Sequence, residues 1–102
     1  MEMKALSDEE VIQTLAGSLK NWRLEEHTIR RDLTFRNFTS AFSFMTAVAL
    51  EAEKMDHHPD WSNVYNKVSI SLSTHSANGI TQNDIDLARI IDNTFRTYES
   101  GS

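Results

Sequence analysis

The sequence predicts an α+β fold: an antiparallel sheet of three to four strands with three helices packed on one face, in the order α-β-β-α-β-(β)-α. Three observations carry that expectation. Apolar residues recur at helical spacing in three separated segments, the stretches between them alternate in step with a strand, and Asn78-Gly79 marks a turn before the last helix. Helices gathered on one face of an antiparallel sheet bury all of these apolar faces in a single core.

Ser7-Asp8-Glu9-Glu10 opens the first helix as a capping box, its hydroxyl and carboxylate placed to satisfy orphan amides. Val11, Ile12, Leu15 and Leu19 follow at helical spacing, and Gly17 weakens the segment without ending it. From Trp22 to Phe35 the period shortens. Trp22 and Leu24 alternate with charged residues, and Ile29, Arg31, Leu33 and Phe35 share one side of a second extended run, so two strands meet near Glu26-His27. Asn37 to Met55 reads as the strongest helix, with Phe38, Phe42, Met45, Ala49 and Ala52 on one stripe and Phe44, Val48 and Met55 on another. Two stripes are more than one sheet contact needs, which leaves a choice between a deeply buried helix and an oligomer interface.

Asn63 to Thr74 alternates again. Val64, Val68, Ile70 and Leu72 fall on one side, with Asn66 the polar exception, and the run is one strand or two end to end. Thr81-x-x-Asp84 caps a last helix whose stripe is Leu87, Ala88, Ile91, Phe95 and Tyr98.

At 102 residues, 39% of them hydrophobic, the chain is sized for one domain, 1–102, around one core. The net charge of −5 argues against direct nucleic-acid binding, which needs clustered Lys and Arg. Arg30 and Arg31 are adjacent, but on a strand they point to opposite faces, and we read them as solvated. With no cysteine, disulfides, thiolate zinc sites and cysteine nucleophiles are excluded. Met1 to Leu6 lacks the basic and apolar regions of a leader, and no segment approaches the roughly 18 apolar residues of a membrane span. A cytosolic location is expected, with the nucleus as the second compartment.

The chemistry gathers in Glu53-Lys54-Met55-Asp56-His57-His58-Pro59-Asp60-Trp61. Pro59 stops the helix from running through the two histidines, so they lie on a helix-to-strand connection. Imidazole titrates near neutral pH, so paired histidines suit donation and acceptance of protons. His75 closes the following extended run, immediately before Ser76-Ala77-Asn78-Gly79. Along a straight strand it would lie up to roughly 40 Å from the loop, so the strand must double back or a neighbouring subunit must bring it in. A zinc site from His57, His58, His75 and Asp84 or Glu53 is the rival reading, although adjacent histidines are poor partners for one ion and no HExxH spacing occurs. Turn histidines paired with nearby carboxylates are the plain structural alternative.

Glu53 lies one helical turn before His57 and can orient an imidazole; otherwise it is an exposed carboxylate near Lys54. Asp84 can both cap its helix and orient a nearby His75. Trp61 and Tyr65 can stack on a flat ring, but packing is the favoured role for Tyr65, and His27 is read as a surface residue of the hairpin turn.

EAEKMDHHPDWSNVYNKVSISLSTH, followed by Gly79, Thr81, Asp84 and Leu87-Ala88, resembles the signature of the pterin-4a-carbinolamine dehydratases, and RNFTSAFSFMTAVALEAEKMDHHPDW is similar to that family's central helix. The likeness runs from Phe38 to Ala88; the flanking segments match in pattern alone. It implies loss of water from a 4a-hydroxytetrahydropterin to give the quinonoid dihydropterin, with no metal or organic cofactor. On the matching positions it implies catalytic roles for His57, His58, His75 and Asp84. A pterin-binding surface of Glu53, His57, His58, Pro59, Trp61, Thr74, His75, Ser76 and Ala77 is expected, and the resemblance suggests that backbone of Thr74, Ser76 and Ala77 meets the pterin edge. His57 and His75 are expected to move protons and His58 to bind and orient the ring. The resemblance further implies a homo-oligomer, dimer or tetramer. It also offers a second function of another class: a dimerisation cofactor that binds the dimerisation helices of a homeodomain transcription factor.

Overall fold

The Ser7 hydroxyl accepts a hydrogen bond from the Glu10 amide while the Glu10 carboxylate accepts one from the Ser7 amide, so the capping box forms as expected and starts α1 (Asp8–Ser18). The Ser7 amide, and after it the nearby Ser7 hydroxyl, hold the Glu10 carboxyl below its ordinary range. The computed structural model describes residues 4–100; Met1 to Met3 and Gly101-Ser102 lie outside them. Next come β1 (Arg23–Glu25), β2 (Thr28–Thr34), α2 (Phe38–Met55), β3 (Asp60–Val64), β4 (Lys67–Leu72), a single 3-10 turn (His75–Ala77) and α3 (Gln82–Ser100). The four strands form one antiparallel sheet in the order β1-β2-β4-β3. The predicted class and element order are those observed, with the run read from Asn63 to Thr74 divided between two strands.

Register decides which side chains are buried. Ile29, Arg31 and Leu33 of β2 lie opposite Leu72, Ile70 and Val68 of β4, and all of these point to the helices. Arg30, Asp32, Ser69 and Ser71 alternate with them on the other, polar face. On that face the Ser69 hydroxyl is the main influence holding the Asp32 carboxyl low, with help from Arg23. Val64 corrects the sequence reading. Because β3 and β4 meet through the tight Tyr65-Asn66 loop, Val64 pairs with Lys67 and shares its face, and it is 74% exposed. A single alternation drawn through that turn puts it on the wrong side. Tyr65, expected to pack, is also exposed, at φ 52° in the turn. Asn66 turns to the end of β2, where its side-chain amide donates to the Phe35 carbonyl at 2.8 Å and its own carbonyl accepts from Phe35 N–H at 2.8 Å.

The two stripes of α2 are resolved unequally. Ala41, Phe44, Val48 and Ala52 face the core, and Phe44 meets Phe35 with ring centroids 5.0 Å apart and Phe95 edge-on at 6.3 Å. Phe38 and Phe42, placed by spacing on the stripe with Ala52, are 48% and 55% exposed and stack on each other at 5.7 Å. Ile12 of α1 is exposed as well. In α3, Leu87, Ala88, Ile91 and Phe95 are buried as expected, joined by Ile85.

Arg31 departs furthest from expectation. Its strand does send Arg30 and Arg31 to opposite faces, but Arg31 is not solvated: its side chain is only 13% exposed and reaches Asp92 of α3 at 2.6 Å. The same Asp92 oxygen accepts the Trp22 indole N–H at 2.8 Å, and the guanidinium lies 5.0 Å from the centre of the Phe95 ring. A charge on the inner face of the sheet is thereby paired in place.

Candidate active site

The C-terminus of α2 sets the position of His57. Asp56 takes the left-handed conformation (φ 52°, ψ 42°), its N–H bonds the Glu53 carbonyl at 3.1 Å, and His57 N–H reaches back to the Ala52 carbonyl at 3.1 Å. This is a Schellman closure, which satisfies the last carbonyls of the helix and turns the chain sharply outward. His57 is therefore fixed by backbone bonds on the helix side and by Pro59, one residue beyond His58, on the other.

The β3–β4 hairpin answers the distance problem within one chain. Asp60 pairs with Ser71, so the residues flanking the hairpin, the histidine loop before it and Thr74-His75 after it, come to the same end of the sheet. There Thr74 closes a small loop on Gly79, donating to its carbonyl at 2.8 Å, and the chain enters α3 with Asp84 in the first turn. A Cβ at Gly79 would sit 3.2 Å from the Ala5 Cβ, so a larger residue would press the segment before α1 outward by a few tenths of an ångström.

Asp84 is fully buried, and its carboxylate is the hub of the site. One oxygen, Oδ2, accepts from the Thr81 N–H at 2.9 Å and from the Thr74 hydroxyl at 2.8 Å. The other, Oδ1, lies 2.5 Å from His57 Nε2. With two donors on Oδ2, an ionised Asp84 accepts on Oδ1 as well, and the proton of that bond is then the one on His57 Nε2. This arrangement favours, for the neutral imidazole, the tautomer with Nε2–H donating to Asp84 and the lone pair on Nδ1. The Thr81-x-x-Asp84 cap is real in one direction only, because the Thr81 hydroxyl turns instead to Thr74, 2.7 Å away.

Asp84 therefore orients His57, not His75 as expected from its position in sequence. The reason is topological: the start of α3 passes under the end of α2, whereas His75 opens the 3-10 turn and is exposed. Glu53 does reach an imidazole, that of His58 at 2.9 Å, on an exposed surface where such a pair is worth at most about 1 kcal/mol. Lys54 pairs with Glu51 instead. Trp61 lies opposite Ile70 on the inner face and packs half-buried at the edge of the core, forming a wall beside the loop. Pro59 and Ala77 are half-buried and Ser76 is exposed. The N–H groups of Thr74 and Ala77 are both used inside the loop, so Thr74 enters the site through its hydroxyl. His27 is exposed in its hairpin turn.

Among the described residues, no group of three or more His, Asp or Glu side chains is arranged to hold a metal ion, and no helix is long and apolar enough to cross a membrane. A hollow of about 450 Å³ lies away from the histidines, bordered by Gly17, Lys20, Arg31, Asp92 and Arg96. At the histidines, by contrast, a buried carboxylate holds one imidazole, while His58 and His75 are exposed. Reading the sequence missed the Thr81 hydroxyl and the Arg31–Asp92 pair. The signal for the first was two threonines placed on either side of the Asn78-Gly79 turn; for the second it was an arginine in phase with Ile29 and Leu33.

Fold and site together define a small α+β protein with a carboxylate-backed histidine centre. The chain belongs to the pterin-4a-carbinolamine dehydratase family: the family profile described as pterin 4 alpha carbinolamine dehydratase matches residues 4–94. A relative from Synechococcus sp. (strain WH7803), provisionally named a pterin-4-alpha-carbinolamine dehydratase, is 48% identical over 90 residues, covering 88% of this chain and 97% of its own. One from Mesorhizobium japonicum, named in the same way, is 50% identical over 97 residues, covering 93% and 98%. The crystal structure of a protein from Brucella melitensis described as a transcriptional coactivator/pterin dehydratase superposes with a TM-score of 0.86 at 41% identity, covering 89% of this chain and 98% of that one. A pterin dehydratase-like RuBisCO assembly factor of the alpha-carboxysome shares the fold, with a TM-score of 0.60 at 16% identity over 72% of this chain and 84% of its own.

Proposed function

We propose that the protein is a 4a-hydroxytetrahydropterin dehydratase that works by histidine acid-base chemistry. The observation that carries this reading is the pairing of His57 with the buried Asp84 at the end of the sheet that also carries the exposed His58 and His75. In the proposed reaction the bond from C4a to its hydroxyl breaks, and the oxygen leaves as water on receiving a proton. The neighbouring ring nitrogen gives up its proton, and its electrons close the new double bond to C4a. His57 Nδ1 suits the proton removal and the exposed His75 suits the donation. His58, steadied by Glu53, binds and orients the ring against Trp61. No metal or organic cofactor takes part in this scheme.

Replacing each histidine by Gln tests it. His57→Gln and His75→Gln are expected to lower kcat by about 10²-fold or more, and His58→Gln to act mainly on KM. Turnover of a 4a-hydroxytetrahydropterin, followed by absorbance, decides; full activity in all three variants ends the proposal.

The exposed Phe38–Phe42 pair on α2 supports a homo-oligomer, since an apolar helix face of this kind is covered readily by a second copy. The double variant Phe38→Ser with Phe42→Ser is then expected to move the mass in light scattering toward the monomer. An unchanged mass would remove α2 as the interface. The same face is where the dimerisation helix of a homeodomain transcription factor would dock if the adaptor function also holds. Titration with such a helix separates the two uses.

A further inference from the structure

The Thr81 hydroxyl has an unusual assignment. Thr81 stands just before α3, where a threonine side chain ordinarily accepts an amide of the first turn. Here it is completely buried and bonds Thr74 Oγ1 at 2.7 Å. Proton counting fixes the direction of that bond. Thr74 has one hydroxyl proton and gives it to Asp84 Oδ2 at 2.8 Å, so the proton between the two threonines must come from Thr81. The chain runs one way: Thr81 to Thr74, Thr74 to Asp84, with His57 donating to the other carboxylate oxygen at 2.5 Å.

We infer that Thr81 is a positioning residue for the proposed dehydration, acting through Thr74 and Asp84 to hold His57 in the tautomer that leaves Nδ1 free. Deprived of the Thr81 proton, Thr74 loses the donor that occupies its lone pair, and its hydroxyl is released to turn away from Asp84. Asp84 then keeps only the Thr81 N–H on Oδ2, and its carboxylate can rotate relative to the imidazole. Hydroxyls in series also polarise one another, so each bond in the chain strengthens the next in a site shielded from water. The inference rests on the dehydratase reading for its kinetic consequence but not for its structural one.

Thr81→Val, which matches threonine in shape and lacks the hydroxyl, is expected to lower kcat on the order of ten-fold with little change in KM, while Thr81→Ser restores turnover. The decisive readout is independent of activity. ¹⁵N spectra of the His57 ring should show Nε2 protonated in the unmodified protein and in Thr81→Ser, and a mixture of tautomers in Thr81→Val. An unchanged tautomer in Thr81→Val overturns the inference even if activity falls. A shifted tautomer in a protein that dehydrates no pterin retains the relay and rejects the dehydratase. Should Thr81→Val not fold, the unmodified protein still decides the matter. The Thr81 and Thr74 hydroxyl protons should exchange slowly with water and show a cross-relaxation peak to each other, and rapid exchange of either contradicts the relay.

Discussion

Asp84→Asn is expected to reduce turnover of a 4a-hydroxytetrahydropterin on the order of 10³-fold while the protein remains folded. The substitution preserves shape and reverses one polarity. The amide oxygen can still accept from the Thr81 N–H and the Thr74 hydroxyl, which occupy Oδ2 in the unmodified protein. The amide nitrogen then faces His57 Nε2 with protons of its own. His57 has to accept there, and its proton moves to Nδ1, the nitrogen proposed to receive the substrate proton. Loss of the charge-assisted bonds costs about 1–3 kcal/mol, small enough to leave a folded protein. Stopped-flow rates beside a thermal melt make the comparison, and turnover within about two-fold of the unmodified protein would show that Asp84 serves only the helix cap.

The largest effect on stability is expected from Asp92→Ala, at about 3 kcal/mol or more in urea denaturation. That loss is a substantial part of the roughly 5–15 kcal/mol that holds a domain of this kind together. Removing Asp92 strands the Arg31 guanidinium on the inner face and leaves the Trp22 indole N–H without its acceptor. The cost is the loss of the shared acceptor of two part-buried donors more than the loss of the pair's own attraction. Accordingly the double variant Arg31→Leu with Asp92→Leu should be less damaged than Asp92→Ala alone. A double variant at least as unstable as the single one, or a single variant within about 0.5 kcal/mol of the unmodified protein, would count against a desolvated pair.

The elements were legible because each carries its own periodicity and punctuation: the Ser7 capping box, the alternation of β2, the proline after His58, the stripe of α3. What periodicity cannot reveal is a change of side at a turn. The Tyr65-Asn66 loop contains no glycine or proline, so the alternation continues through it on paper while the chain folds back and Val64 moves to the polar face. The stripes of α2 failed for a related reason. A helix with apolar residues on adjacent faces gives no internal sign of which one meets the sheet, and here Phe44 and Val48 do so while Phe38 and Phe42 face outward.

In the site, the histidines were legible from their local context, and pairings across the chain were not. Glu53 and His58 come together through the turn that ends α2, and Asp84 and His57 meet only when the start of α3 passes beneath that turn. Sequence distance made His75 the natural partner of Asp84, since both flank the Asn78-Gly79 turn. The short 3-10 turn points His75 to solvent and leaves its neighbour Thr74 to make the contact.

The hairpin between the histidine loop and His75 also acts as a parity constraint on insertions and deletions. One residue added to either strand alone, where no bulge absorbs it, shifts the pairing by a step, turning Trp61 to the polar face or Ile70 away from the helices. One residue added to each strand moves only the tip and leaves Asp60 opposite Ser71. Relatives that lengthen or shorten this hairpin while keeping the same centre are therefore expected to differ there by even numbers of residues.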